Sequence, residues 1–348
     1  MSEYINLQRE VWRSLTGDDT QLPHAMLFVG KEGVGKRELA EVLAARLLCE
    51  SKPAPHAPAC GTCASCQMWA SGTHPDYRLV QPEADSESDE GEGDATPGEK
   101  KKASKQIRIQ QIREIEEFFY IGSHRGGARV CLIDPAESMN AVTANSLLKI
   151  LEEPTASFYF IMISHRWQGL LPTLISRSRQ VMFSAPNASA AQAWLDHNKL
   201  SSAKSWLPFY GHAPLALAQA HQRGQLKALE SLLADLLAPQ DPLAQAAKWE
   251  TYLKTEVKTD SAMSMEVLVT TVQKWLLDLG LVAQGAAPRY FPHKNSALEA
   301  LTRKLSIPLL IEAQKQVAQI RRLASHPLNA RLFLEDLCVR AFRPLKSS

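Results

Sequence analysis

Residues 24–49 read HAMLFVG-KEGVGK-RELAEVLAARLLC, and this stretch constrains the fold more than any other. A short apolar run ends in glycine, as a strand buried on both faces would. A glycine-rich loop follows, and Leu39, Val42, Leu43, Leu47 and Leu48 then recur at helical spacing. Strand, glycine loop and helix in direct succession is the setting of a phosphate-binding loop, G-x-x-x-x-G-K-[S/T]. Gly30, Gly35 and Lys36 sit in that frame, and Gly33 loosens the backbone further. The last position departs from it: Arg37 stands where a hydroxyl would hold magnesium.

Three more buried-strand signatures follow, at 128–134 (ARVCLID), 158–164 (FYFIMIS) and 180–186 (QVMFSAP). Between them, 106–122 is amphipathic, and 143–154 places Ala144, Leu147, Leu148 and Leu151 at i, i+3, i+4, i+7 before Pro154. Residues 4–16 also have helical spacing. Strands alternating with helices predict a parallel sheet covered on both faces. After Pro186 the strand signals stop and about 160 residues read as helix. The segment 81–105 is acidic and Ser/Gly-rich, then a lysine run, and is expected to be a disordered surface insertion.

Net charge is +2, so bulk electrostatics make no case for nucleic acid or membrane binding. No apolar run reaches the length of a membrane span, and MSEYINLQREVWRSL shows no signal-peptide core. A cytoplasmic, reducing location is the expectation, in which the six cysteines remain thiols or bind metal.

Four of those cysteines form C49-x10-C60-x2-C63-x2-C66. Tetrahedral zinc takes four soft ligands at about 2.3 Å, and a C-x-x-C-x-x-C turn eased by Gly61 and Ser65 can aim three thiolates at one point. Cys49, at the end of the preceding helix, closes the set. Four thiolates leave no open position, so Cys49, Cys60, Cys63 and Cys66 predict structural rather than catalytic zinc. An iron–sulfur cluster uses similar ligands and is the lesser reading; His56 could replace one cysteine. Cys131 and Cys338 fall in apolar stretches and are expected to pack the core.

The phosphate-loop frame, the four-cysteine insertion, HPDYRLV, NSLLKILEEP and LLPTLISRSRQVMF occur in that order. The ordered set resembles the AAA+ subunits of the bacterial replicative clamp loader. The likeness covers essentially the whole first domain and continues more weakly in the helical tail, where LNARLFLEDLCVR is similar to the family's closing helix. It implies an AAA+ domain with a zinc module (1–184), a small helical lid (185–228) and a helical collar for oligomerisation (229–348). It also implies gamma/tau-type ATPase and delta-type subunits as partners in a five-subunit ring, with the sliding clamp and primed DNA reached through the complex and no membrane contact.

In that family an active ATPase needs a phosphate cradle, a metal-holding hydroxyl, a metal-organising aspartate, a catalytic glutamate and a lid arginine. Here Gly30, Gly33, Gly35 and Lys36 retain the cradle, and Asp134 stands at the aspartate position. Arg37 replaces the hydroxyl, Pro135 the glutamate, and Pro214 (or Leu215, one residue on) the lid arginine; Glu137 is out of register. Ser164 remains a polar sensor candidate. Metal, base and γ-phosphate stabilisation are lost together, and one such contact is worth about 10²–10³ in rate. Hydrolysis is therefore not expected, and nucleotide binding is expected to be weak or absent.

What survives is the arginine of SRSR (176–179). The family motif is S-R-C, whose arginine reaches the neighbouring subunit's ATP; Ser178 replaces the cysteine, and Arg177, rather than Arg179, fills the arginine position. The implied role is a non-hydrolysing subunit that supplies a trans-acting arginine to a neighbouring ATPase within the DNA polymerase III holoenzyme, any DNA-directed DNA polymerase activity belonging to the complex. The alternative is a catalytically active gamma/tau-like ATPase, which positions 37, 135 and 214 disfavour. Lys149 and Arg125 are weaker candidates for facing DNA, a solvated face being preferred for both, and the seven tryptophans, Trp69 among them, are read as core.

Overall fold

The computed structural model describes residues 2–17, 22–83, 104, 106–155, 157–256, 263–303, 305–324 and 329–345. The expected insertion at 81–105 lies outside the described residues except for 81–83 and 104. The chain divides into two compact units, Met1–Ala190 and Ala191–Ser348.

The first unit opens with α1 (Ser2–Leu7) and α2 (Arg9–Leu15). A single helical span was expected here. The break falls at Gln8, where φ is −127°; its side-chain amide donates to the carbonyls of Val34 (2.8 Å) and Ser184 (3.0 Å). Then come β1 (Ala25–Val29), α3 (Lys36–Leu48), α4 (Ala64–Ala70) and β2 (Tyr77–Val80). They are followed by α5 (Ile109–Tyr120), β3 (Arg129–Ile133), α6 (Ala141–Glu152), β4 (Phe158–Ser164), α7 (Pro172–Ser176) and β5 (Arg179–Met182). Local chemistry sets the starts: Gln111 accepts from the Arg108 N–H before α5, and Asn140 accepts from Thr143 N–H at the head of α6. Pro154 lies two residues beyond the end of α6.

The five strands form one sheet of order β2-β3-β4-β1-β5, every neighbouring pair parallel. β1 and β3 are buried throughout and β4 nearly so, as strands covered on both faces must be. Their side chains join Ile112, Ile115 and Phe119 of α5 and Leu147 and Leu151 of α6 in one apolar core. Register pairs Val29 with both Ser164 and Met182, so the strand ends carrying Gly30, Asp134 and His165 share the carboxyl edge, where open parallel sheets bind ligands.

Two strand expectations needed correction. β2 was not anticipated: at four residues with Arg78 exposed, an edge strand carries little apolar signal. The last strand, expected over 180–186, ends at Met182. Phe183 N–H still reaches Val29 O (2.7 Å), but Ser184 O is taken by Gln8.

α8 (Ala188–His197) leads into the second unit, which is helical: α9 (Pro214–Gln222), α10 (Gln225–Leu237), α11 (Pro242–Glu256), α12 (Met265–Ala283), α13 (Asn295–Thr302), α14 (Ile307–Arg321) and α15 (Ala330–Phe342). Residues 214–237 read as one helical run, but Gly224 at φ +68° divides α9 from α10. Trp249, Trp275 and Phe342 meet in the core with edge-on rings. Asp278, fully buried, accepts the backbone N–H groups of Arg289, Tyr290 and Phe291. No helix among the described residues is long and apolar enough to cross a membrane.

Candidate functional site

The glycines of the loop after β1 are required by geometry. A Cβ on Gly30 would lie 2.5 Å from Phe183 O, a backbone atom that cannot step aside. Gly35 takes φ +96° immediately before α3, where a side chain would be strained. Lys36 is buried, and its ammonium turns into the loop, donating to the carbonyls of Gly30 (2.8 Å) and Lys31 (2.5 Å). Burial pulls its pKa down to about 8, against the opposing pull of Asp134 and Glu137.

Arg37 closes the site. Its guanidinium donates to Glu41 Oε1 (3.2 Å), Gln81 Oε1 (3.2 Å) and Asp134 Oδ2 (3.4 Å). Asp134, the acid expected at the metal-organising position, is therefore paired with the cation of Arg37. Burial raises the Asp134 pKa, and Arg37, His165 and Lys36 pull it back. His165 Nε2 lies 3.8 Å from Asp134 Oδ1; burial and then Lys36 depress its pKa. Glu137 accepts the backbone N–H groups of His165 (2.8 Å) and Arg166 (3.1 Å), which commits that oxygen to bracing the loop after β4. Ser164 is buried, its carbonyl accepting from Gly30 N–H (3.2 Å) and its hydroxyl lacking a partner among the described residues.

In the second unit the expected lid position begins α9. Pro214 stands in its first turn and is buried with Leu215, so no cation is presented there.

The four cysteines of the spaced cluster come together. Cys49 follows α3, Cys63 caps α4, Cys66 lies in its first turn and Cys60 in the loop before it, with Gly61 at φ +76°. Cys49 and Cys63 sulfurs lie 4.0 Å apart and Cys60 and Cys66 sulfurs 3.8 Å, all four within 4.8 Å of one another. Bonds of about 2.3 Å in a tetrahedron put sulfurs about 3.8 Å apart, so the set fits a metal ion. Cys60 is drawn down to about 5 by the Ser51 hydroxyl and then by N–H and O–H donors of Thr62, whereas burial pushes Cys66 up to about 12. A buried thiol of that kind becomes a thiolate when a cation compensates it. His56 is occupied elsewhere: its Nδ1 meets Thr16 Oγ1 (3.2 Å), and its carbonyl accepts from Trp12 Nε1 (2.8 Å). Cys131 and Cys338 are fully buried.

Arg177 caps the C-terminus of α7 with its side chain 39% exposed. Its guanidinium donates to Glu152 Oε1 (2.6 Å) and Thr173 O (3.3 Å). Arg179 opens β5 and is exposed. The structure does not bring Arg177 to the phosphate loop: no bond joins it to Lys36, Arg37 or Asp134 among the described residues. Lys149 is exposed on α6. Arg125 pairs with Glu50 Oε1 (2.5 Å), which also accepts from Ser65 beside Cys66. Of the tryptophans, Trp69 is half-buried edge-on to Tyr77, and Trp167, at 43% exposed, departs from the core expectation.

The DNA polymerase III, delta subunit family matches residues 8–187 of the chain. The chain belongs to that family. It is 37% identical to DNA polymerase III subunit delta' of Pseudomonas aeruginosa over 64% of this chain and 63% of that protein. To the Escherichia coli delta' subunit it is 33% identical over 49% of this chain and 46% of that protein. To DNA polymerase III subunit tau of Salmonella typhimurium it is 29% identical over 51% of this chain and 24% of that protein. The chain thus spans about half to two thirds of the length of the delta' relatives.

Several residues that shape these sites carried no sequence signal. Gln8 ties the phosphate loop to the chain after β5, and Gln81 and Glu41 share Arg37 with Asp134. Asp76, fully buried, accepts from Ser123 Oγ and the N–H groups of His124 and Arg125. Glu152 stands in the sequence only as part of the helical motif NSLLKILEEP. Apart from Glu41, which is one helical turn from Arg37, each acts through a partner at least 25 positions away, which periodicity does not report.

Proposed function

We propose that this chain is a non-hydrolysing, delta'-like AAA+ subunit of the DNA polymerase III clamp loader. It lends Arg177 to the nucleotide of a neighbouring ATPase and so helps place the sliding clamp on primed DNA. The observation that carries the reading is the Arg37–Asp134 contact: a fixed cation sits against the acid that would organise magnesium, and Lys36 is spent on loop carbonyls. Neither group is left for ATP–Mg²⁺. Pro135 and Pro214 remove the base and the lid cation as well.

The half-exposed Arg177 supports the trans role. A guanidinium aimed at a γ-phosphate stabilises transition-state charge, an effect of about 10³–10⁵ in rate in systems that use one. Cys49, Cys60, Cys63 and Cys66 would hold structural zinc, since four thiolates leave no open position. A gamma/tau-type ATPase and a delta-type subunit would be its ring partners, in the cytoplasm. The domain reading 1–184, lid 185–228 and collar 229–348 belongs to the same proposal.

The test is ATP hydrolysis by the purified chain alone and after addition of the partner ATPase, with ATP–Mg²⁺ titration calorimetry on the chain. The proposal expects no turnover and no tight binding alone, and stimulated turnover in the complex. Turnover by the isolated chain at the rate of a working ATPase favours the gamma/tau-like reading.

A further inference from the structure

We propose that Glu152 is a positioning residue that parks Arg177 on this chain, so that a neighbour's phosphate must take the arginine from it. The inference rests on the trans-arginine reading above and adds a resting state to it. Glu152 is the last residue of α6, where the helix dipole is negative and favours a cation. A carboxylate there is misplaced by its own helix and gains from an external positive charge. Arg177 supplies it, with Nη2 at 2.6 Å from Glu152 Oε1 and Nη1 donating to Thr173 O at 3.3 Å. Both acceptors belong to this chain.

The pair is exposed enough to be exchanged: the side chains are 39% and 49% accessible. An incoming phosphate offers more charge and more acceptor oxygens than one carboxylate. It would also meet Glu152 as a like charge 2.6 Å from the group it needs. The guanidinium therefore has to leave Glu152 as it engages the phosphate, retaining Thr173 O as its tether. Glu152 sets the threshold for delivery: it keeps the arginine folded back when no neighbouring nucleotide is present.

The test is a double-mutant cycle in the full chain assembled with its partner ATPase, reading ATP turnover at saturating ATP for wild type, Glu152→Gln, Arg177→Ala and the double variant. An exposed ion pair is worth up to about 1 kcal/mol, so releasing it is expected to raise turnover about two- to fivefold in the Glu152→Gln complex. No change is expected between Arg177→Ala and the double variant. Glu152→Ala should act in the same direction, which guards against an effect peculiar to glutamine. Unchanged or lower turnover in Glu152→Gln, with Arg177→Ala slow, overturns the parking role. A gain that persists in the Arg177→Ala background overturns it as well. Unchanged turnover in Arg177→Ala itself refutes the trans-arginine reading instead, so the two failures are distinguishable.

Discussion

Replacing Arg37 with methionine keeps most of the apolar stem and removes the charge that neutralises Asp134. At 3.4 Å and an effective dielectric of about 20, Coulomb attraction between the two groups is at most about 5 kcal/mol. Arg37 is 38% exposed, so solvent screens the pair, and the retained Lys36 and His165 still face the carboxylate. A loss of about 1–2 kcal/mol at pH 8 is the discounted figure, equivalent to a fall of about 2–8 °C in the melting temperature of a unit this size. The loss depends on pH in a set direction. The folded-state pKa of Asp134 is raised above its ordinary 3.8, so its contribution to stability is fully present below that value and is lost as pH rises through the folded value. Removing Arg37 raises the folded value further and extends the window of loss upward. Wild type and Arg37→Met should therefore differ most near pH 8, where Asp134 is ionised, and the difference should shrink as pH falls toward 4 and the carboxyl takes up its proton. Thermal melts of both proteins at the two pH values read this directly, and Glu41→Gln separates the weak i,i+4 pair from the Asp134 contact. A pH-independent difference, or no destabilisation at pH 8, would refute the reasoning.

Metal analysis of the purified chain should find about one zinc per polypeptide, and Cys66→Ser should lose it and lower the melting temperature, because the remaining three thiolates no longer close the tetrahedron. Zinc retained in Cys66→Ser would count against the four-cysteine set. Gly30→Ala should destabilise the first unit by about 1–3 kcal/mol by urea or thermal unfolding, since its Cβ meets the backbone of Phe183. A neutral Gly30→Ala would mean that the loop adapts and that its glycine serves something other than close approach.

The fold was legible where burial is complete. The three strands covered on both faces write continuous apolar runs into the sequence, and they were found at β1, β3 and β4. The edges were not: β2 mixes Arg78 into four residues, and β5 gives up Ser184 to Gln8. The cysteine module was readable because its ligands are close in sequence and chemically distinctive. The identity of Arg37 was readable too, but its partner was not, because Asp134 lies 97 residues away and only the sheet order brings the ends of β1 and β3 to one edge. The same limit hid Glu152 beside Arg177, a contact made by the ends of two helices across β4.

The proposed function has Arg177 acting on the nucleotide of a neighbouring subunit. Single-turnover ATP hydrolysis in the reconstituted complex, comparing wild type with Arg177→Ala, tests that most directly. Arg177→Ala should leave assembly intact, lower the melting temperature by no more than about 4 °C through loss of the Glu152 pair, and slow hydrolysis at the neighbouring site by on the order of 10³. Undiminished hydrolysis at that site, with the variant fully incorporated, would contradict the account.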